Sequence, residues 1–416
     1  MKANLLKYLP CLLFVFFALG SARLSGQTAA ADGKITASPS TAPQTAPSED
    51  WKIDVTHWTK PMPGWLYVLD PKPDRVGSGG RVWLVDPETS KVMGSIRTGD
   101  DADFALSPDG SRLYVASSTE GGSSELAVID TVQGVVLKSG LVNGRAVTDG
   151  LRPFSTMAVS GDGLALRILI DAPKSSDADA FLLATFDTRV GEFLPGVVHL
   201  GNCGPGRFIS QPNAGQFDFL CPRTNRVRLI EVDADSRETQ NLDVVLPWER
   251  RIGAAEAIEV PSDRGIAIVR GDGGVVEMNV ATHEFAETMA HPVLPNRVPP
   301  AAWPTSPDGS RVYVGYNSDY DRSDNRFYLD YGRPPNVRPE NSAAYEFRVL
   351  DTSTWRKIGT IRTKMPFWSA VIGNDGKVLY AMAPRKHSIL VIDTMKMCES
   401  RILKVGGTPT LALVAP

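Results

Sequence analysis

Five histidines are the natural candidates for acid–base or metal chemistry: His57, His199, His283, His291 and His387. They stand singly, and none shows the spacing that brings ligands to one ion, so each reads as a satisfied or exposed histidine. Asp319, Asp321 and Asp324 have the alternation of a calcium loop, but the stretch lacks its glycine and terminal glutamate. They read as a solvated acidic loop. The sequence contains no Cys-x-x-Cys-His for covalent haem, no Gly-x-Ser-x-Gly elbow and no Gly-rich phosphate loop. Residue types alone give no catalytic constellation and no metal site in this chain.

A second set of candidates is aromatic: Phe104, Phe154, Trp248, Trp303, Phe367 and Trp368. Each falls near the start of a repeat unit. Large aromatics there pack between neighbouring units, and they are also what a protein interface uses for buried contact area. Because they gather on one predicted face, that face is the expected partner site, with Phe154, Trp248, Trp303, Phe367 and Trp368 as its binding candidates.

These residues must be positioned by repeated elements. The unit RVWLVDPETSKVMGSIRTGDDADFALSPDGSRLYVASS, Arg81–Ser118, returns near the C-terminus as EFRVLDTSTWRKIGTIRTKMPFWSAVIGNDGKVLYAMA. In the first complete unit, Phe104–Ser107 is a strand ending in the turn Ser107-Pro108-Asp109-Gly110. Arg112–Ala116, Leu126–Asp130 and Val135–Lys138 follow as three more strands. Four antiparallel strands in a meander make one propeller blade, too small to bury its own apolar face. Third strands end near Asp86, Asp130, Asp187, Asp233, Asn279, Asp351 and Asp393, which gives seven units.

The chain ends complement each other. Trp65–Asp70 is a second strand with no first, and Thr410–Val414 is a first strand with no second. Pairing them closes the ring and removes its sheet edges. The expected fold is therefore all-β, a seven-bladed β-propeller over 64–416 closed by its N- and C-terminal strands. A large sandwich leaves the two terminal fragments unexplained. In such a ring the Pro-Asp-Gly turns share one side. The crossovers and the insertion Asn317–Ala344 share the other.

Lys2 and Lys7, the apolar run Cys11–Gly20 and small residues at Ser21 and Ala22 form an export leader over 1–22. The apolar run is too short for an integral membrane span. From Gln27 to Asp50 the chain is rich in Ala, Ser, Thr and Pro, so 23–63 reads as a disordered tether and N-terminal extension. Without the leader, 42 basic residues face 47 acidic ones, and no basic cluster supports nucleic-acid binding. An oxidising compartment permits a disulfide. Cys203 and Cys221 flank two predicted strands whose hairpin can bring them within bonding distance, leaving Cys398 unpaired as a small buried or half-buried residue.

With these features in hand, the chain resembles the large (heavy) subunit of quinoprotein amine dehydrogenases, over most of its length from Trp65 onward. The resemblance is carried by Tyr67-Val68-Leu69-Asp70-Pro71 and by the Cys203 and Cys221 pair in the middle blade. It continues in the charged insertion before Phe347-Arg348-Val349-Leu350-Asp351 and in Leu379-Tyr380-Ala381. Exported propellers of the Tyr-Val-repeat type share several of these phrases and offer the alternative of a non-catalytic binding protein. The resemblance implies a periplasmic scaffold for a small subunit that carries tryptophan tryptophylquinone and the catalytic base, with electrons passing to a blue-copper protein. No cofactor is then expected in this chain. The resemblance also implies a phenylalanine lining a substrate channel soon after the first blade's Gly-containing crossover. Here Gly99 is followed by Asp100 and Asp101, and the first aromatic is Phe104, so either Phe104 takes that place from a shifted position or the channel is absent.

Overall fold

The recurring acidic residue at the end of each third strand is a turn former. Asp130 Oδ1 accepts the backbone N–H groups of Val132 and Gln133, both at 2.8 Å. Asp86, Asp187, Asn279, Asp351 and Asp393 do the same for the residues two positions on. Short polar side chains that bond their own backbone in this way favour turns over continued strand. The turn between first and second strands has a parallel grammar. In Ser107-Pro108-Asp109-Gly110 the Gly110 N–H donates to Ser107 O at 2.8 Å, and Ser107 Oγ donates to Asp109 Oδ1 at 2.6 Å. Gly110 adopts φ +70°, which costs glycine nothing. Ser160–Gly163 and Ser306–Gly309 repeat the pattern.

A threonine after the acidic residue joins the two kinds of turn. Thr131 Oγ1 donates to Gly110 O at 2.6 Å, Thr188 to Gly163 O at 2.6 Å, Thr352 to Gly309 O at 2.7 Å and Thr394 to Gly376 O at 2.7 Å. First-to-second and third-to-fourth turns therefore lie together on one side, as the repeat pattern requires.

The computed structural model describes residues 53–71, 79–118, 123–142, 145–146, 156–171, 181–200, 207–210, 217–222, 226–232, 238–245, 256–259, 266–271, 274–279, 281–286, 290, 303–317 and 345–416. All of them belong to one unit, Pro47–Pro416. They are all-β apart from one short 3-10 turn, Pro384–Lys386, and they form seven antiparallel sheets.

Sheet 1 runs Leu411–Val414, Leu66–Asp70, Arg81–Asp86, Lys91–Arg97 and, outermost, Asp54–Thr56. Sheet 2 runs Asp100–Leu106, Arg112–Ser118, Ser124–Asp130 and Val135–Leu141. Sheet 3 runs Met157–Val159, Ala165–Asp171, Phe181–Asp187 and Glu192–His199, with Arg145–Ala146 also on its second strand. Sheet 4 runs Arg207–Ser210, Phe217–Pro222, Arg226–Val232 and Glu238–Val245. Sheet 5 runs Glu256–Glu259, Ile266–Gly271 and Gly274–Asn279, and sheet 6 runs Arg311–Asn317, Tyr345–Asp351 and Lys357–Thr363. Sheet 7 runs Ser369–Ile372, Val378–Ala383, Ser388–Asp393 and Cys398–Lys404.

Two expectations are modified here. Sheets 5 and 6 keep three full strands, and their fourth members are reduced to bridges at Phe285, Ala290 and Thr305. At sheet 6, Pro304 and Pro307 supply no N–H to a longer ladder. The second change is at the N-terminus. Asp54–Thr56, inside the stretch read as tether and extension, pairs with Lys91–Arg97 in the register Asp54↔Arg97.

The expected pairing of the chain ends is present, with Leu66↔Val414 and Leu69↔Leu411 in register. Apolar clusters fill the spaces between successive sheets. Tyr67, Leu84, Phe104 and Val115 lie between sheets 1 and 2; Tyr114, Leu126, Ile168 and Phe186 lie between sheets 2 and 3. Leu169, Leu183 and Phe219 join sheets 3 and 4, while Arg207–Ser210 contacts Glu256–Glu259 between sheets 4 and 5. Val275, Trp303 and Val314 join sheets 5 and 6, and Phe347, Phe367 and Leu390 join sheets 6 and 7. Val68, Met382 and Ile389 join sheets 7 and 1. Sheets 1, 2, 3, 6 and 7 thus bury apolar side chains towards both neighbours, which supplies stabilisation that no single unit can.

Candidate functional site

On the crossover side, the sequence candidates occupy the first strands or the residues just before them. Phe104, on the first strand of sheet 2, is 0% exposed and packs with Leu69, Leu84 and Val115. Trp303 is buried against Val275 and Val312, between sheets 5 and 6. Phe367 is buried between sheets 6 and 7, its ring stacked on Phe347 at 4.3 Å with 13° between planes. Trp368 is buried as well, and its backbone N–H donates to Met382 O at 2.7 Å. All four serve the packing of this chain's own sheets. Phe154 and Trp248 lie outside the described residues, as do residues 318–344 of the insertion.

Beside these aromatics the same side carries polar groups that residue patterns did not single out. Asp103, next to Phe104, is 6% exposed. Its carboxylate accepts the Phe104 N–H at 2.7 Å, the Thr156 N–H at 2.5 Å and the Thr156 hydroxyl at 2.7 Å. It therefore fastens the start of sheet 3 to sheet 2. Ser369 Oγ donates to Thr410 O at 2.6 Å and does the equivalent work between sheets 7 and 1. Asp70 is buried at the end of the second strand of sheet 1, and Gly407 backs onto it. A Cβ there would stand 2.0 Å from Asp70 Oδ2 and 3.2 Å from Trp83 Nε1. Arg81 lies over the Trp83 ring at 5.3 Å, a cation–π contact. Glu125, on the third strand of sheet 2, is held above the usual carboxylate range by burial, opposed by the Ser139 hydroxyl.

The signal that could have found Asp103 is faint: one acidic residue directly before an aromatic at a blade start. The chemistry Asp103 supports is cohesion, because its carboxylate is used by backbone and hydroxyl donors of the next sheet. Among the described residues no three His, Cys, Asp or Glu side chains form a metal-binding group. His387 is bound through Nδ1 and Gly407 O at 3.0 Å and adopts φ 50°, while His57 and His283 also occupy positive-φ turn positions. His291 lies outside the described residues.

No family model matches the sequence, and no curated protein matches it. Comparison with solved structures is more informative. A functionally unknown protein from Desulfotomaculum acetoxidans superposes with TM-score 0.59 at 13% identity, over 85% of this chain and 99% of that one. A periplasmic gluconolactonase from Pseudomonas aeruginosa gives 0.58 at 12%, over 85% and 99%. A putative 6-phosphogluconolactonase from Bacteroides fragilis gives 0.56 at 13%, over 85% and 98%. These neighbours share one architecture. The fold is a β-propeller. At these identities the likeness carries the fold alone, and the activities named belong to those proteins.

Of the cysteines, Cys203 lies outside the described residues. Cys221 is the last residue but one of the hairpin strand Phe217–Pro222, whose partner Arg207–Ser210 pairs Arg207 with Leu220. The hairpin expected between the two cysteines is therefore present in the fourth sheet. Cys398 is a free thiol and is exposed, not buried or half-buried as its type suggested, because it opens the outermost strand of sheet 7. No helix among the described residues is long and apolar enough to cross a membrane.

Proposed function

We propose that the chain closes as a seven-bladed propeller in the periplasm and serves as the large, non-cofactor subunit of a quinoprotein amine dehydrogenase. Its crossover side holds a small quinone-bearing subunit for the oxidative deamination of primary amines. The observation that supports this reading is the hairpin bearing Cys221 in the fourth of seven sheets, the middle blade, where the resemblance requires the cysteine pair. Export is supported by the leader-like residues 1–22 and by the periplasmic setting named for the gluconolactonase of the same fold. Cys203 and Cys221 form a disulfide in this reading.

The organic chemistry belongs to the partner's cofactor, tryptophan tryptophylquinone. This chain positions and shields that partner, through the insertion 318–344 and the crossovers that carry Phe154 and Trp248. Phe104 borders any channel only from within the wall between sheets 1 and 2. Electrons leave the complex to a blue-copper protein.

Purification from the native host tests the proposal. The expected result is a stable complex with a small chain, a quinone absorption band and amine-dependent dye reduction. A monomer with neither chromophore nor activity would overturn it and leave an exported, non-catalytic binding propeller of the Tyr-Val-repeat type.

A further inference from the structure

The residues before the first repeat strand make a contact that neither the ring nor a quinone-bearing partner requires. Asp54–Thr56 adds a fifth strand to sheet 1, with Thr56 Oγ1 and Ser95 Oγ 2.8 Å apart. The backbone then turns at His57, φ 52°, and delivers Trp58 across the gap to sheet 2. Trp58 Nε1 donates to Thr131 O at 2.7 Å, and the indole stacks on Tyr67 with centroids 6.3 Å apart and planes at 28°.

Two glycines create the space for this ring. A Cβ on Gly134 would lie 2.1 Å from the indole Cγ, and one on Gly94 would lie 2.8 Å from its Cε3. Thr131 is the residue whose hydroxyl ties the two turns of sheet 2 together. The opposite end of the chain reaches the same turns, since a Cβ on Gly110 would lie 2.5 Å from Pro416 Cγ.

The hold on this segment is concentrated in one side chain. The strand has three residues, of which Asp54 and Thr56 are exposed, and a strand so short contributes little by itself. Ile53, Val55 and Trp58 provide its apolar contacts with the core between sheets 1 and 2. Beyond Trp58, residues Thr59, Lys60, Met62 and Pro63 are exposed.

We infer that Ile53–Pro63 is a strap latched by Trp58, and that the slot of Gly94, Gly134, Tyr67 and the Thr131 carbonyl is a binding site for a planar aromatic N–H donor of indole's size. In the resting protein Trp58 occupies the slot. When the latch is withdrawn, the slot takes such a ring from solution. The inference is independent of the amine dehydrogenase reading.

The test uses the full-length chain with Trp58→Gly, and free indole as the probe. The thermal midpoint is expected to fall by about 5 °C, and thermolysin is expected to cut within 53–63 severalfold faster. Millimolar indole should then raise the midpoint of the variant and leave the wild type almost unmoved. Gly134→Ala added to Trp58→Gly puts a methyl group into the vacated slot and should abolish the response to indole. An unchanged midpoint in Trp58→Gly, or one that indole does not raise, overturns the inference. If Trp58→Gly does not fold, Trp58→Phe decides. It keeps a six-membered ring but loses the pyrrole ring together with the bond to Thr131, so strap cleavage severalfold above wild type is expected, and unchanged cleavage rejects the latch.

Discussion

Asp308 shows what a single recurring acidic residue does in this fold. Hydrogen bonds from the Ser306 hydroxyl, then from the Ser310 N–H and hydroxyl, lower its pKa to about 2. The Arg189 guanidinium does the same for Asp187, also to about 2, against the opposing effect of burial and with the Arg189 and Val190 N–H groups assisting. Asp109 is lowered by the Ser107 hydroxyl and the Ser111 donors. For carboxylates depressed in the folded state, stability is present above their unfolded pKa near 4 and is lost as pH falls towards 2. The thermal midpoint should therefore be level from pH 7 to about 5 and drop steeply below pH 4. Asp187→Asn with Asp308→Asn should lower the midpoint at neutral pH and flatten the acid limb. A limb of unchanged steepness in the double variant would reject this assignment. The turns at Asp109 and Asp308 were legible in the sequence because each lies between Pro and Gly, and Asp187 was legible only as the end of a repeating third strand. Asp103 was not legible, because two of its donors come from Thr156, a residue that is near only after the sheets pack.

At the scale of elements, the strands follow from alternation and turn chemistry, and most of their boundaries agree with the sequence reading. The acidic or amide residue closes the third strand at Asp86, Asp130, Asp187, Asn279, Asp351 and Asp393. The reduction of one member each of sheets 5 and 6 to bridges was not legible, because the repeat implies four strands and a bridge is too short for a period to show. Asp54–Thr56 was not legible either, because three residues are too few to show an alternation. The aromatics belong to this scale as well. Phe367 lies stacked on Phe347 between sheets 6 and 7, so Phe367→Ala should cost about 3–5 kcal/mol in chemical denaturation. Any partner capture by the folded fraction should remain at the wild-type level. Loss of capture with stability intact would show that Phe367 belongs to an interface instead.

At the scale of the whole molecule, the N- and C-terminal strands share one sheet, and several contacts hold that seam. Arg401 donates to Glu88 O at 2.9 Å and to Pro87 O, joining the outer strand of sheet 7 to a turn of sheet 1. Asn374 Nδ2 donates to Ala415 O at 2.7 Å, and the Ala415 N–H donates to Trp65 O at 2.8 Å. Removing 411–416 deletes the first strand of sheet 1 and bares the edge of Leu66–Asp70. The truncated chain should lose its cooperative unfolding transition in far-UV circular dichroism and should aggregate. A truncated monomer with a wild-type transition would mean that the seam contributes nothing to closure.

The sequence by itself determined the repeat, the turns and the complementarity of the chain ends. Those properties are local or periodic, and a period of two with Gly and Asp at fixed places is visible without coordinates. Tertiary structure decided that Phe104, Trp303, Phe367 and Trp368 are spent inside the wall of sheets, and that Trp58 bridges two of them. An aromatic side chain carries the same apolar area whether it faces a neighbouring sheet or solvent. Only the packing of one sheet against the next settles which surface it covers.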